Sequence, residues 1–206
     1  MGAAKASPVA GRLMRMRQYL ARLPEGELSY AQCQTRAGLF NISLDRQPFA
    51  LPGDAPQWLH DFVATRKPAT TLIPIVQVNA WVFALIDVAF EGDVQRYLKF
   101  NYDVNRAFGT HPMYSLLYRM LSPSFVMTTM PMAFKRLMPG VSASVSAQDG
   151  GARVVLQYPK HLYDDTMVRG WGAAFEAMIE NAGGKEPQVK ILDQSPTHVS
   201  LGARWT

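Results

Sequence analysis

Four histidines and one cysteine are the residues best able to hold a metal or drive nucleophilic catalysis, and their spacing supports neither. His60, His111, His161 and His198 stand far apart, Cys33 is alone, and no His-x-x-x-His, Cys-x-x-Cys or Gly-x-Ser-x-Gly pattern occurs. Zinc needs about four ligands at close range and a nucleophile needs a positioned base. Any such constellation must therefore be assembled by folding. Gly170-Trp171-Gly172 has the outline of a phosphate-binding turn. It falls within a helical period with no third glycine at the required spacing, so these glycines are expected to be close-packing positions. The polar cluster of most interest surrounds Arg119: if residues 113–121 are helical, Tyr114 and Tyr118 share a face, with His111 one turn earlier. A buried, unpaired Arg119 would lose several kcal/mol of hydration, so it requires an acidic, carbonyl or ligand partner. Asp87 and Asp93 are the nearest acidic candidates for a structural pair; without them, Arg119 becomes the polar anchor of a ligand site.

From Ala107 to Phe134 the chain carries no charged residue other than Arg119. Met113, Met120, Met127, Met130, Met132 and Met138 crowd the same region. Unbranched thioethers fill irregular space and tolerate ligands of varied shape, so the region reads either as a core repacked with methionine or as a malleable apolar pocket. In the pocket reading the candidate ligand-binding residues are Trp81, His111, Tyr114, Tyr118, Arg119, Met127 and Met130. No residue is assigned to catalysis or to a metal, and the cofactor is left open.

The element that must position these residues is the uncharged stretch Pro68 to Ile86. Pro74 suits a first helical turn, and Ile75, Val76, Trp81, Phe83, Leu85 and Ile86 then surround most of the circumference, which predicts a central helix buried on several sides. Thr70, Thr71, Pro74, Gln77 and Asn79 dilute it below a membrane span. Gly92 is expected as its left-handed cap and Asp93 as the start of the next helix.

Before it, residues 11–23 place Leu13, Met16, Leu20 and Leu23 on one stripe. The spacing from Ser29 to Gln32 predicts a short second helix closed by Gly38, followed by a loop through Pro48 and Pro52, then a helix holding Trp58, Leu59, Phe62 and Val63. Beyond it, Asp93 to Phe108 is amphipathic, and Ser122-Pro123 has the form of an N-cap and first-turn proline for a helix bent or broken at Pro131. After Pro139-Gly140 the period changes to two. Val141, Ala143, Val145 and Ala147 alternate with serines, Asp149-Gly150-Gly151 turns the chain, Asp164 or Asp165 caps a helix with Met167, Trp171, Phe175 and Ile179 inward, and a second hairpin closes at Trp205. The expected fold is α+β. A helical N-terminal two-thirds surrounds the buried central helix and packs on a small antiparallel sheet from a C-terminal β-β-α-β-β unit, as one domain over residues 1–206 with parts at 1–24, 25–139 and 140–206.

With 206 residues, 48% hydrophobic and 18% charged, the chain has an ordinary globular composition. The net charge of +5 is local: Lys5, Arg12, Arg15, Arg17 and Arg22 precede the first acidic residue, Glu25, and the remainder is balanced. An anionic partner would meet that basic amphipathic start, which reads as a surface helix rather than a membrane or nucleic-acid anchor. A single cysteine excludes an internal disulfide and fits a reducing, cytoplasmic setting.

Helices, a Gly-Asp break, a Tyr-Arg helix, Ser-Pro, and a closing β-β-α-β-β ending in Arg-Trp make an order that resembles a known superfamily. FEGD at Phe90 to Asp93, Tyr118-Arg119, Ser122-Pro123 and Arg204-Trp205 carry the resemblance, over roughly Asp87 to Trp205. The chain resembles the haem-nitric-oxide-binding, 4-vinyl-reductase-type and TRAPP-type domains, and among them the uncharacterised paralogous families of myxobacteria. That resemblance implies an α+β ligand-binding or assembly fold. The Tyr-x-Ser-x-Arg haem signature is missing, since Tyr114 to Arg119 has the wrong spacing, and the zinc-binding cysteines of related sensor domains are absent. The expected function is a non-enzymatic sensory or carrier domain, a signalling module holding a small apolar molecule in a Met-rich pocket. The alternative is a protein-interaction module that self-associates as a dimer. An enzyme and a nucleic-acid binder rank below both.

Overall fold

The computed structural model describes residues 13–110 and 121–206. The central helix, α4 (Ile75–Val88), is buried on nearly all sides: Val76, Ala80, Ala84, Leu85 and Ile86 are fully enclosed, and Trp81 and Phe83 nearly so. It begins directly after Pro74, the residue expected in its first turn, so the Pro68–Ile73 part of the uncharged stretch lies outside it. A proline disfavours helical geometry in the residue before it, so Ile73 is extended and Leu72–Pro74 forms a short strand, β2, paired antiparallel with β1 (Gln34–Arg36). α4 ends as the sequence predicts, with Gly92 at φ +83° and its N–H donating to the Ile86 carbonyl at 2.8 Å.

Helix α1 (Met14–Ala21) lies against α4 with Leu13, Met16, Tyr19 and Leu23 inward, so Tyr19 takes the deeper place expected of Leu20. Residues 29–33 are not helical: Ser29 follows a 3-10 turn at Gly26–Leu28, and its hydroxyl accepts from the Glu25 N–H. The second helix is α2 (Ala37–Arg46), where a loop was expected, and Gly38 sits in its first turn instead of closing a helix. Ala37, Phe40, Asn41 and Leu44 do follow a helical period. The polar Asn41 hides it, because that side chain turns inward and donates to the Lys67 carbonyl at 2.8 Å. α3 (Gln57–Ala64) contributes Leu59 and Phe62 to the core.

α5 (Val94–Thr110) is capped by the Asp93 carboxylate, which accepts from the N–H groups of Gln95 and Arg96. Ser122 caps α6 (Pro123–Leu137), which continues past Pro131 as one element rather than breaking there. The C-terminal part contains β3 (Ser142–Gln148), β4 (Gly151–Gln157), α7 (Asp165–Asn181), β5 (Gln188–Gln194) and β6 (His198–Arg204). Its sheet is antiparallel in the order β3-β4-β6-β5, with Val154 facing Leu201 and a bulge between Ile191 and Asp193. Alternate residues of β4 and β6, among them Val154, Leu156, Val199 and Leu201, are fully buried and join the same core as the helices. The fold is therefore α+β, a helical part on a small antiparallel sheet. Among the described residues no helix is long and apolar enough to cross a membrane.

Two of the contacts that join the parts stand out. Gly140, at φ +87°, lets the chain entering the sheet run against β1's approach: a Cβ there would lie 2.6 Å from the Gln32 carbonyl oxygen. The Asp87 carboxylate, 5% exposed, accepts from the Arg15 backbone N–H at 2.8 Å and its guanidinium at 2.9 Å. Arg119 lies outside the described residues, and of its two expected partners Asp87 holds Arg15 while Asp93 caps α5. Asp87→Ala removes two hydrogen bonds to a charged acceptor and is expected to cost about 2 kcal/mol, since the partly exposed Arg15 is resolvated. Melting by circular dichroism should show a Tm about 4–8 °C lower.

Candidate functional site

Four helices present one stripe each to a common gap. α4 offers Ile75, Val78, Asn79 and Val82; α5 offers Tyr97, Asn101, Val104 and Asn105; α7 offers Met167, Gly170, Trp171 and Ala174. Each set follows the three- and four-residue spacing of a helical face. α2 supplies Leu39, Phe40 and Ser43 at the rim, and Trp81, Met138 and Tyr163 complete a cavity of about 170 Å³. Gly170 sets the approach of α7 to α5: a Cβ there would lie 3.3 Å from the Tyr97 oxygen, and its carbonyl accepts from Asn101 Nδ2 at 2.7 Å.

Most polar groups in the wall are already engaged. Asn79 Nδ2 donates to the Leu162 carbonyl at 2.9 Å and to the Tyr19 oxygen at 3.1 Å, and the Tyr19 hydroxyl donates to the same carbonyl. Asn105 Nδ2 donates to the Asn101 carbonyl, and the Arg36 guanidinium to the Thr70 carbonyl. Two of the fully buried ones are not engaged. Trp81 Nε1 and the Tyr163 hydroxyl are buried without a hydrogen-bond partner, in side chains whose residues are 2% and 4% exposed. Trp81 meets Phe40 edge-on at 5.0 Å between ring centroids, and Tyr163 meets Trp171 edge-on at 5.9 Å.

Burial pushes the Tyr163 phenol well above its ordinary value, with Tyr19 and Cys33 nearby acting in the same direction, and burial raises Tyr97 likewise. Both are neutral donors at physiological pH. Among the described residues no Asp or Glu lines the cavity, and Arg36 at its edge is the one charged group of the wall.

Of the residues singled out from the sequence, Trp81 lines this cavity. Met127 and Met130 are buried on α6 in the main core and do not line it; its thioethers are Met138 and Met167. His111, Tyr114, Tyr118 and Arg119 lie outside the described residues. The sequence reading missed Tyr163, Tyr97 and Asn79. The one available signal was Asn79, a lone amide in an apolar helix, which had been read only as diluting the span.

A second polar group forms at the β5–β6 turn. Ser195 Oγ lies 2.7 Å from His198 Nδ1, and His198 Nε2 lies 2.8 Å from Asp193 Oδ2. The order is that of a catalytic relay, but Ser195 Oγ also accepts from the N–H groups of Thr197 and His198, which makes it a turn cap on an exposed hairpin. His198 lowers the Asp193 carboxyl. Among the described residues no three metal-ligating side chains come together.

No family model and no curated protein matches the chain. Solved structures do. A Cs H-NOX mutant with an unnatural amino acid aligns at TM-score 0.56 and 8% identity, over 83% of this chain and 96% of that one. An Fe(II) unliganded H-NOX mutant from K. algicida aligns at TM-score 0.52 and 9% identity, over 83% and 96%. An H-NOX-family protein used to probe the function of heme distortion aligns at TM-score 0.51 and 8% identity, over 96% and 93%. The fold is thus H-NOX-like, and at this identity the likeness is one of fold.

Burial raises the folded-state pKa of Tyr158 to about 12 and those of Tyr19, Tyr97 and Tyr163 further. A raised folded value contributes stability that is complete below the unfolded value, near pH 10, and is lost as pH rises toward the folded one. An alkaline titration followed by phenolate absorbance and circular dichroism should show these four tyrosines ionising only as the fold is lost.

Proposed function

We propose that this chain is a sensory or carrier domain that binds a small apolar molecule in the cavity between α2, α4, α5 and α7. The observation that carries it is the cavity: apolar side chains such as Val78, Val82, Met138 and Trp171 line a half-open space of about 170 Å³. Protein cores are otherwise packed to crystal density, so an apolar recess of this depth between four helices is a place where packing can hold a small molecule. Specific kinship with the haem-nitric-oxide-binding, 4-vinyl-reductase-type or TRAPP-type branches, and with the myxobacterial families, rests on the FEGD, Tyr-Arg, Ser-Pro and Arg-Trp elements.

Haem is the group that the solved neighbours bring to mind, and the described residues do not fit it. Pockets that bury even drug-sized molecules run to about 300–1,000 Å³, and the cavity is well below that. Its described wall offers two phenols but no imidazole or thiolate, the commoner axial ligands. The reading therefore uses a ligand held by packing and hydrogen bonds alone.

Val78 lines the cavity and is only half-buried, so enlarging it fills the site without opening another hole. Val78→Phe is expected to abolish binding of small aromatic molecules, measured by ligand-observed NMR, while leaving Tm within about 3 °C of wild type. Retained affinity in a folded variant places any binding elsewhere.

Self-association is a second reading, favoured by α6. Phe125 and Met132, seven residues apart on one side of the helix, are 52% and 66% exposed. Light scattering across protein concentration checks it. A dimer that dissociates in the Phe125→Ser, Met132→Ser double variant supports the reading, and a strict monomer removes it.

A further inference from the structure

We propose that the outer edge of β5 takes an extended segment of another protein as a fifth strand, one whose side chains alternate between apolar and acidic. The proposal uses neither the cavity nor the exposed side of α6.

The sheet has two outer strands, β3 and β5. α6 packs along β3, whereas β5 borders an open groove of about 750 Å³ with α7 at its back and α5 on the far side. Val189 and Ile191 line this groove together with Leu98, Gly172 and Ala173, the last two too small to fill it. An edge strand offers a row of N–H and C=O groups to an incoming chain. One of them already has a substitute partner: the Val189 N–H is turned to the Glu176 carboxylate, at 2.9 Å, rather than to β6. Glu176 thus stands where the carbonyl of a neighbouring strand would stand. The N–H and C=O of Ile191, two residues on and turned the same way, have no partner outside the sheet among the described residues. The bulge between Ile191 and Asp193 ends the regular edge, so an incoming strand pairs over Gln188 to Ile191.

The side-chain pattern follows from the two faces. Residues directly opposite on neighbouring strands share a face. The positions opposite Val189 and Ile191 therefore enter the groove and call for apolar side chains. The position between them lies beside Lys190, on the other face. Among the described residues Lys190 belongs to no ion pair, and the nearby Asp193 is held by His198. Lys99 and Arg169, also on the groove, pair only with exposed carboxylates one turn away on their own helices. Such pairs hold little of their charge from a partner. Glu176 is the one acidic residue of the described wall. That balance favours acidic side chains and opposes basic ones.

The test titrates the full chain with the acetylated, amidated peptide Val-Glu-Val-Glu-Val, its counterpart Val-Lys-Val-Lys-Val, and the acidic peptide N-methylated at its central valine, followed by amide NMR. The acidic peptide should bind about tenfold tighter than the basic one. It should move the Ile191 amide proton downfield, slow its exchange with water, and lose affinity on N-methylation. Lys190→Glu should remove the preference for acid, and Ala173→Leu, which fills the groove from α7, should weaken binding. No binding of the acidic peptide, equal affinity for both charges, an unmoved Ile191 amide or indifference to N-methylation overturns the proposal. An Ile191 amide that moves with protein concentration alone gives the edge to a second copy of this chain and overturns it too. Val78→Phe should leave peptide binding unchanged, so the outcome at this edge is separate from the outcome at the cavity.

Discussion

One buried carbonyl organises the molecule. The Leu162 oxygen accepts from Asn79 on α4 and from the Tyr19 hydroxyl on α1, and Asn79 also reaches the Tyr19 oxygen. All three groups are out of solvent, where an unmade hydrogen bond is expensive. The knot therefore fixes how α4 is rotated, a choice that its apolar surface alone would leave open, since nearly every face of that helix is equally suited to burial. The rotation that brings Asn79 to Leu162 also turns Ile75, Val78 and Val82 toward the cavity. It joins the first helix, the central helix and the segment leading into α7 at one point.

The cavity persists because its walls cannot easily move inward. Trp171 is touched by Phe134, Tyr163 and Phe175 at centroid distances of 5.4 to 5.9 Å, and Trp81 is held by Phe40 and Phe49. Rings wedged against other rings have few alternative rotamers, and moving one breaks contacts worth keeping with its neighbours. Asn101 fastened to the Gly170 carbonyl holds α5 and α7 at a set spacing from the other side.

Much of this could be read from the chain. The uncharged run around Trp81 gave a central helix, Ser122-Pro123 gave a cap, and the change to period two after Gly140 gave the β-β-α-β-β unit, because in each case local chemistry and tertiary environment agree. Where they diverged, the reading failed. Leu72 and Ile73, part of the uncharged stretch ahead of Pro74, form a strand that the apolar density did not announce, through the proline constraint on Ile73 and pairing with β1. α2 looked like a loop because Asn41, polar by type, is an inward residue by virtue of a carbonyl far along the chain. The cavity itself was legible only at Trp81. Tyr163 gains its character from being enclosed by residues distant in sequence, and Met127 and Met130 lie on a helix face directed into the core rather than the gap.

The three-residue ladder of β1 and β2 closes an excursion. Residues 37–71 leave at Arg36 and return at Leu72, which are register partners, so the segment starts and ends at one place. Within it α2 and the segment following α3 are tied to each other by Asn41 to the Lys67 carbonyl and by Arg66 to Asp45. Tied internally and seated in the core by Ala37, Phe40, Leu59 and Phe62, with Asp54 paired to Arg17 of α1, it brings Phe40 and Leu39 to the cavity as one continuous piece of wall.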